Sequence, residues 1–278
     1  MMNKMYILHL GDCLEVLPSV PSGSIDAIIT DLPYGTTQCK WDSIIPFEPM
    51  WKEVKRVLKP SGTFITTASQ PFASALVMSN PKWFKYEWVW NKSHSSGFQY
   101  AKYRPMQRHD NILVFGNGRI NYYPQKTKGK KKASRSGKPE TSRKADTVVG
   151  GGVKYNLSVV ITDEYFPTTD LYFPCGARRG SIHPTQKPVA LYEYLIRTYT
   201  REGETVLDIA AGSGTTIVAA ENIGRNSIGI EKDEDIFKSA KNRIEGYRSQ
   251  EIRATIKQDT NITIDGQINL FGHLSNNQ

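Results

Sequence analysis

Thr205-Val206-Leu207-Asp208-Ile209-Ala210-Ala211-Gly212-Ser213-Gly214-Thr215-Thr216 is the stretch on which the fold turns. A short apolar run ends in a glycine-bearing turn and passes into a helical pattern, so a buried strand feeds a helix. Glycines at such a turn let the backbone approach a ligand closely at the carboxyl edge of a sheet. The following strand ends in Gly229-Ile230-Glu231, which places a carboxylate 17 residues past Gly214. An α/β nucleotide fold puts there the acid that accepts hydrogen bonds from a ribose diol. A dinucleotide fits poorly, because Ile217 stands where a third glycine would be and no pyrophosphate grip is evident. Asp208 reads either as a ligand contact or as a turn acid at a strand end.

Outward from this unit, short apolar runs alternate with helical patterns, the mark of a parallel α/β sheet. Strands are expected over 5–10, 26–30, 63–68, 86–90, 111–115, 205–209 and 227–230, and helices over 47–58, 71–78, 188–199, 215–223 and 234–247. The pattern fails between about 117 and 180, a stretch with a basic run, a Gly150-Gly151-Gly152 triplet and no clear period. It reads as a partly disordered insertion on the rim of the sheet. The expected organisation is a catalytic half over 1–116, this insertion over 117–180, a cofactor-binding half over 181–248 and a flexible polar tail over 249–278.

Composition narrows the function. The chain has 278 residues, 38% hydrophobic and 23% charged, which suits a globular protein with one substantial core. No apolar run is long enough to span a membrane, and Gly11-Asp12 breaks the first one too early for a signal peptide. Cys13, Cys39 and Cys175 are sparse and lack metal-ligand spacing. They read as unpaired thiols in a reducing cytoplasm, with no metal site. The net charge of +9 is concentrated: nine basic residues lie between Lys126 and Lys144 against the single acid Glu140. Such a run is either a solvated surface or a local grip on a polyanion. On the second reading Lys126, Lys128, Lys130, Lys131, Lys132 and Arg135 would contact nucleic acid. Arg104, Arg108 and His109 read either as phosphate contacts or as plain surface charge.

Asp26-Ala27-Ile28-Ile29-Thr30 is a strand that delivers Asp31-Leu32-Pro33-Tyr34-Gly35 to the same sheet edge. Pro33 stiffens the turn, holding the Asp31 side chain and the Leu32 carbonyl in fixed relation beside the flat face of Tyr34. Two acceptors and a ring describe a receptor for an amino group on a planar heterocycle. An ordinary β-turn with a packed tyrosine accounts for the same residues.

Asp31-Leu32-Pro33-Tyr34 resembles the Asp-Pro-Pro-Tyr motif of amino-methylating DNA methyltransferases. Ala211-Gly212-Ser213-Gly214-Thr215-Thr216 is similar to their S-adenosylmethionine loop, and His183-Pro184-Thr185-Gln186-Lys187-Pro188 to a third hallmark. The catalytic motif precedes the irregular region and the cofactor loop comes last, an order that resembles the beta group, with its bacteriophage and restriction-modification members. The resemblance covers about 5–247. It implies a Rossmann-like methyltransferase sheet with an inserted target-recognition region, S-adenosylmethionine as cofactor and double-stranded DNA as substrate.

By residue, the resemblance implies that Asp31 and the Leu32 carbonyl accept from the target amine of adenine N6 or cytosine N4, and that Tyr34 stacks on the flipped base. Ala211 to Thr215 line the cofactor, with Gly212 and Gly214 at its methionine part and Asp208 beneath them. Glu231 takes its ribose, Asp12 with Cys13 its adenine, and Thr185 and Lys187 lie near its carboxylate. Trp41-Asp42 matches a Trp-Asp pair that often follows the catalytic motif, with packing as the expected role. Leu32 departs from the usual proline, but the role there belongs to a main-chain carbonyl. Ile209-Ala210 replaces a usual Pro-Phe and removes an aromatic wall from the cofactor pocket.

The first-position aspartate favours adenine over cytosine without settling it. A protein-glutamine methyltransferase would leave the basic run without a purpose, and a nicotinamide-dependent dehydrogenase would leave Asp31–Tyr34 and His183–Pro188 without one. A catalytically inactive DNA-binding protein would not require Asp31 and Tyr34. Gln267-Ile268-Asn269-Leu270-Phe271 in the polar tail resembles the short peptides that dock bacterial DNA enzymes on the sliding clamp; a strand folded back on the chain's own sheet is the other reading.

Overall fold

Every residue from Ile25 to Thr30 is buried, which requires a strand covered on both faces and flanked on both edges. A computed structural model describes residues 6–37, 42–139, 155–175 and 187–249, with the side chains of 131–139 and 155–161 left out. In chain order its elements are β1 (Tyr6–Leu10), α1 (Cys13–Val16), β2 (Ile25–Thr30), α2 (Phe47–Val57), β3 (Leu58–Ala68), α3 (Phe72–Ser79), β4 (Phe84–Ser96) and β5 (Gln107–Gly116). There follow β6 (Thr127–Pro139), β7 (Tyr155–Tyr165), β8 (Asp170–Tyr172), α4 (Val189–Tyr199), β9 (Thr205–Asp208), α5 (Thr215–Asn222), β10 (Asn226–Glu231) and a last helix, α6, over 234–249.

Eight strands form one sheet in the order β1-β10-β9-β2-β3-β5-β4-β8. From β1 to β3 all pairings are parallel. The expectation of a parallel sheet fails at β5, which runs antiparallel to both β3 and β4, whereas β8 again pairs parallel with β4. The reason lies in the connection: residues 97–106 hold no crossover helix, and a short link can return only as a hairpin. The alternation of side chains along each strand divides the core. Ile28, Phe64 and Phe115 face α2 and α3 through Met50, Trp51, Phe72 and Leu76. Ala27, Ile29 and Ile65 face α4 and α5 through Leu195, Tyr199 and Ala219. On α6, Ile244 packs on Ile217 and Val218 of α5.

The chain divides into two compact units, 124–168 and the remainder. The smaller unit holds β6 and β7, paired antiparallel from Thr127↔Tyr165 to Pro139↔Tyr155. Sequence periodicity misses both strands. One is built largely of Lys, Arg, Ser and Gly, residue types with no strand bias, so pairing with its β-branched partner is what orders it.

Tyr199 closes the second half of the core. Its buried hydroxyl accepts from Trp88 Nε1 at 2.7 Å and lies 3.0 Å from the Tyr86 hydroxyl. Tyr199→Phe leaves the buried indole N–H without its acceptor and is expected to cost about 1–3 kcal/mol in urea denaturation. A loss below about 0.5 kcal/mol would mean that the indole finds another acceptor.

Candidate active site

The parallel half of the sheet brings the carboxyl ends of β1, β10, β9, β2 and β3 to one edge. Asp31 follows β2 there, with Leu32 buried beneath the turn. Oδ1 of Asp31 accepts from the Tyr34 hydroxyl at 2.7 Å and from the Thr67 hydroxyl at the end of β3. Oδ2 accepts from Lys187 Nζ. Lys187 precedes α4, so the cation expected near a cofactor carboxylate sits here on the motif's own aspartate. The Tyr34 ring stacks on Phe72 of α3 at 5.2 Å. Burial, with the Asp31 charge beside it, holds the Tyr34 phenol well above its usual pKa, so it stays neutral.

The loop that carries Tyr34 is shaped by Asp42. Its Oδ1 accepts from the main-chain N–H groups of Tyr34 and Gly35 at 2.8 and 2.9 Å. Its Oδ2 accepts from those of Thr36 and Thr37 at 2.9 and 2.7 Å. Burial pushes the Asp42 pKa up, but the hydrogen bonds from Gly35, Thr37 and Thr36 outweigh it and the net shift is downward. Packing, the role expected for this Trp-Asp pair, therefore understates Asp42, which anchors the main chain of the turn after Asp31. Trp41 lies outside the described residues.

On the neighbouring strands, Glu231 at the end of β10 takes the Gly212 N–H at 2.7 Å and the Asp233 N–H at 2.8 Å. Burial raises its pKa. Gly212 has φ +51° and Gly214 φ +75°, conformations that favour glycine. A Cβ on Gly212 would meet nothing nearer than the Ala210 oxygen at 4.0 Å, so that face of the loop is open; one on Gly214 would press on Ile244 at 3.0 Å. Gly212 thus leaves its side of the loop open, and Gly214 seats the loop on α6.

Arg243 of α6, which no sequence signal marks, binds the Ser213 carbonyl at 2.8 Å and the hydroxyls of Ser213 and Thr215 at 3.1 and 3.0 Å. Those hydroxyls therefore serve the loop from within. Asp12 caps α1 through Leu14 N–H at 2.9 Å and pairs with Lys232 at 2.9 Å; that hydrogen bond from Lys232 is the main cause of its lowered pKa. Cys13 beside it is buried, which pushes its thiol up to about 12, so it is protonated and inert. Asp208 accepts from the Ala210 N–H at 3.1 Å and from the Thr216 hydroxyl.

A model of the N6/N4 DNA methylase family matches residues 25–242. The chain belongs to that family. Two curated relatives are type II methyltransferases: M.HpaI of Haemophilus parainfluenzae, 29% identical over 86% of this chain and 74% of its own length, and M.HinfI of Haemophilus influenzae, 26% identical over 84% and 67%. Among solved structures, the M1.HpyAVI–SAM complex superposes with a TM-score of 0.58 at 23% identity, covering 86% of this chain and all of that one. The cytosine-N4-specific PvuII methyltransferase gives 0.59 at 17% identity, covering 89% and 94%. Both likenesses confirm a Rossmann-like methyltransferase fold. The methylase depends on S-adenosylmethionine, and the open Gly212 face beside the Glu231 carboxylate suits that group.

The methylase brings Asp31, Leu32, Tyr34 and Lys187 together on one side of this edge and Asp12, Asp208, Gly212 and Glu231 on the other. Asp42 completes the first group with Thr67, and Arg243 the second; neither Thr67 nor Arg243 belongs to a sequence motif. Thr185 and Gln267–Phe271 lie outside the described residues, and the relatives lend sliding-clamp docking no support. In the smaller unit Lys128 and Lys130 are exposed and Lys126 pairs with Glu164 at 3.0 Å. The side chains of Lys131, Lys132 and Arg135 lie outside those described. Among the described residues no helix is long and apolar enough to cross a membrane, no His/Cys/Asp/Glu cluster could hold a metal, and Cys13 and Cys175 are free thiols.

Asp42→Ala orphans four main-chain donors, so the methylase should lose at least tenfold in kcat, about 1.4 kcal/mol, while calorimetry shows unchanged S-adenosylmethionine affinity. An unchanged kcat would mean that the turn holds its shape without Asp42. Asp208 is lifted from 3.8 to about 6, chiefly by burial. The folded state therefore binds its proton more tightly than the unfolded chain, and stability falls as pH rises from about 4 to about 6. Asp208→Asn should be more stable than the parent at pH 7 by up to about 3 kcal/mol, with the gap closing at pH 4. Urea melts at both pH values check this; a gap that ignores pH would show that Asp208 titrates normally.

Proposed function

We propose that this methylase transfers a methyl group to N6 of an adenine flipped out of duplex DNA. The observation that carries the reading is the Asp31 carboxylate just past the end of β2, hydrogen-bonded to the neutral Tyr34, with the Leu32 carbonyl next along the chain. The aspartate in first position favours adenine over cytosine.

The lone pair of an exocyclic amine is delocalised into the ring, which makes it a poor nucleophile. Two fixed acceptors on its hydrogens favour a tetrahedral nitrogen, localise the pair and stabilise the positive charge that develops. Thr67 and Tyr34 hold Oδ1 of Asp31 in place, so Oδ2, which takes one hydrogen bond from Lys187, is the oxygen with room for the amine. Bound S-adenosylmethionine supplies an electrophilic methyl on a sulfonium. Gly212, with Ala211, Ser213, Gly214 and Thr215 around it, would carry the methionine part, Glu231 the ribose hydroxyls and Asp12 the adenine, with Asp208 supporting the loop and Thr185 near the carboxylate. Each Glu231 oxygen already takes one main-chain N–H, and a carboxylate oxygen can accept a second hydrogen bond. A base within the duplex cannot reach Asp31, and stacking on Tyr34 offsets part of the few kcal/mol that flipping costs. Lys126, Lys128, Lys130, Lys131, Lys132 and Arg135 would grip the duplex on the inserted unit.

Sequencing that reads modified bases, applied to the genome of an unmodified host expressing this chain, tests the reading directly. N6-methyladenine in one recurring sequence context is expected, and N4-methylcytosine instead would overturn the choice of base. Asp31→Ala should abolish transfer of labelled methyl to DNA while leaving cofactor binding intact. More than about a tenth of the parent turnover, a barrier change under ~1.4 kcal/mol, would remove Asp31 from the chemistry.

A further inference from the structure

The antiparallel half of the sheet reaches past the catalytic edge. β3 ends where Ala68 pairs with Asn111, and Thr67, which binds Asp31, pairs with Ile112. β8 stays with β4 as far as Asn91. Beyond that point only β4 and β5 continue among the described residues, to Ser96↔Gln107, and residues 97–106 join them in a tight turn. This arm therefore overhangs the edge that carries Asp31.

Its composition is one-sided. From Asn91 to His109 there is no Asp or Glu. Lys92 is matched by Asp110 at 3.0 Å, whereas Lys102, Arg104 and Arg108 have no acidic partner among the described residues. Phe98 is 81% exposed and Tyr103 86%. With Tyr100 and Met106, also exposed, they gather four large apolar side chains into one turn, and it is such clusters, not single exposed rings, that mark interaction sites. Arg104 lies over the Tyr100 ring at 4.9 Å, and main-chain bonds from Tyr103 and Arg104 to the Tyr100 carbonyl, at 2.8 and 3.0 Å, hold the turn in shape.

We propose that this arm is a second DNA-contacting surface of the methylase. Lys102, Arg104 and Arg108 take backbone phosphates flanking the target, and Phe98 and Tyr103 stack on the bases that extrusion of the target leaves exposed. The inference rests on the DNA methylase reading and extends it beyond the catalytic loop and the inserted unit. Exposed rings interleaved with unpaired cations match the two chemistries of nucleic acid, a polyanion with flat apolar bases. A second copy of the same arm would set like charges face to face with no acid to relieve them, which disfavours self-association.

The test uses the full chain and two variants whose melting temperatures match the parent, Lys102→Ala/Arg104→Ala/Arg108→Ala and Phe98→Ala/Tyr103→Ala. Anisotropy with a labelled, PCR-made duplex over a salt series reads phosphate binding, and labelled methyl transfer to PCR-amplified genomic DNA reads turnover. The triple variant should lower the log–log salt slope by about 0.9 for each phosphate it no longer neutralises, as much as about 2.7 in all. The double variant should keep the slope and fall about tenfold or more in kcat/KM for DNA, and Phe98→Tyr/Tyr103→Phe should restore it. Parent slope in the triple variant together with parent kcat/KM in the double would overturn the proposal, as would variants that alter only sedimentation. A parent that methylates no DNA would overturn the methylase reading itself, a result distinct from indifferent variants of an active parent.

Discussion

Four main-chain N–H groups, from residues 34 to 37, converge on the Asp42 carboxylate. A turn with this many donors pointing inward cannot be left unsatisfied in a half-buried site, since each orphaned donor costs about 1–3 kcal/mol. One buried anion resolves all four and thereby fixes where Tyr34 stands. Tyr34 in turn meets Asp31 and Thr67 through its hydroxyl and Phe72 through its ring. The position of Asp31 is thus set by hydrogen bonds from three separate elements. Lys187 binds its other oxygen, so both carboxylate oxygens are engaged before any substrate arrives.

The glycine-loop side obeys the same logic. Here the anions Glu231 and Asp208 are buried, and their main-chain partners belong to the glycine loop they hold. Arg243 supports that loop from the helix beneath. Both halves of the site therefore rest on buried carboxylates whose first duty is to the backbone. Any ligand is met by lone pairs left over, or by displacing a partner such as Lys187.

How much of this was legible in the sequence depends on how local each signal is. The strand-turn-helix around Gly212, the strand before Asp31 and the five main helices were legible because hydrophobic period and turn residues lie within a few positions of one another. Each of the seven expected strands occurs, with ends moved by a few residues. The reversal at β5 was legible only from the lack of a helix between β4 and β5, an absence easily passed over. β6 and β7 were not legible at all: the Lys-, Ser- and Gly-rich β6 carries no apolar period, and without it the β-branched run of β7 had no visible partner. The roles of Asp42, Thr67 and Arg243 escaped for a different reason: their partners are main-chain groups or residues of distant elements, 33 positions away for the Tyr34–Thr67 hydrogen bond and 30 for Arg243–Ser213. Lys187 stands out in the sequence, yet its pairing with Asp31 spans 156 positions, and only the fold could assign it.

The adjacency of β2 and β9 at the centre of the sheet bears on how the protein is made. Asp26 binds the Thr205 N–H across 179 positions of chain, at 2.9 Å. On a ribosome that adds roughly 5–20 residues per second, β2 waits on the order of ten seconds or more for its neighbour. Throughout that interval an apolar strand, meant to be covered on every side, has one open edge and invites pairing with other chains. The cofactor half of the site cannot exist until β9 and β10 have emerged. A nascent chain, or one cut short before β9, therefore carries an open apolar edge that invites aggregation.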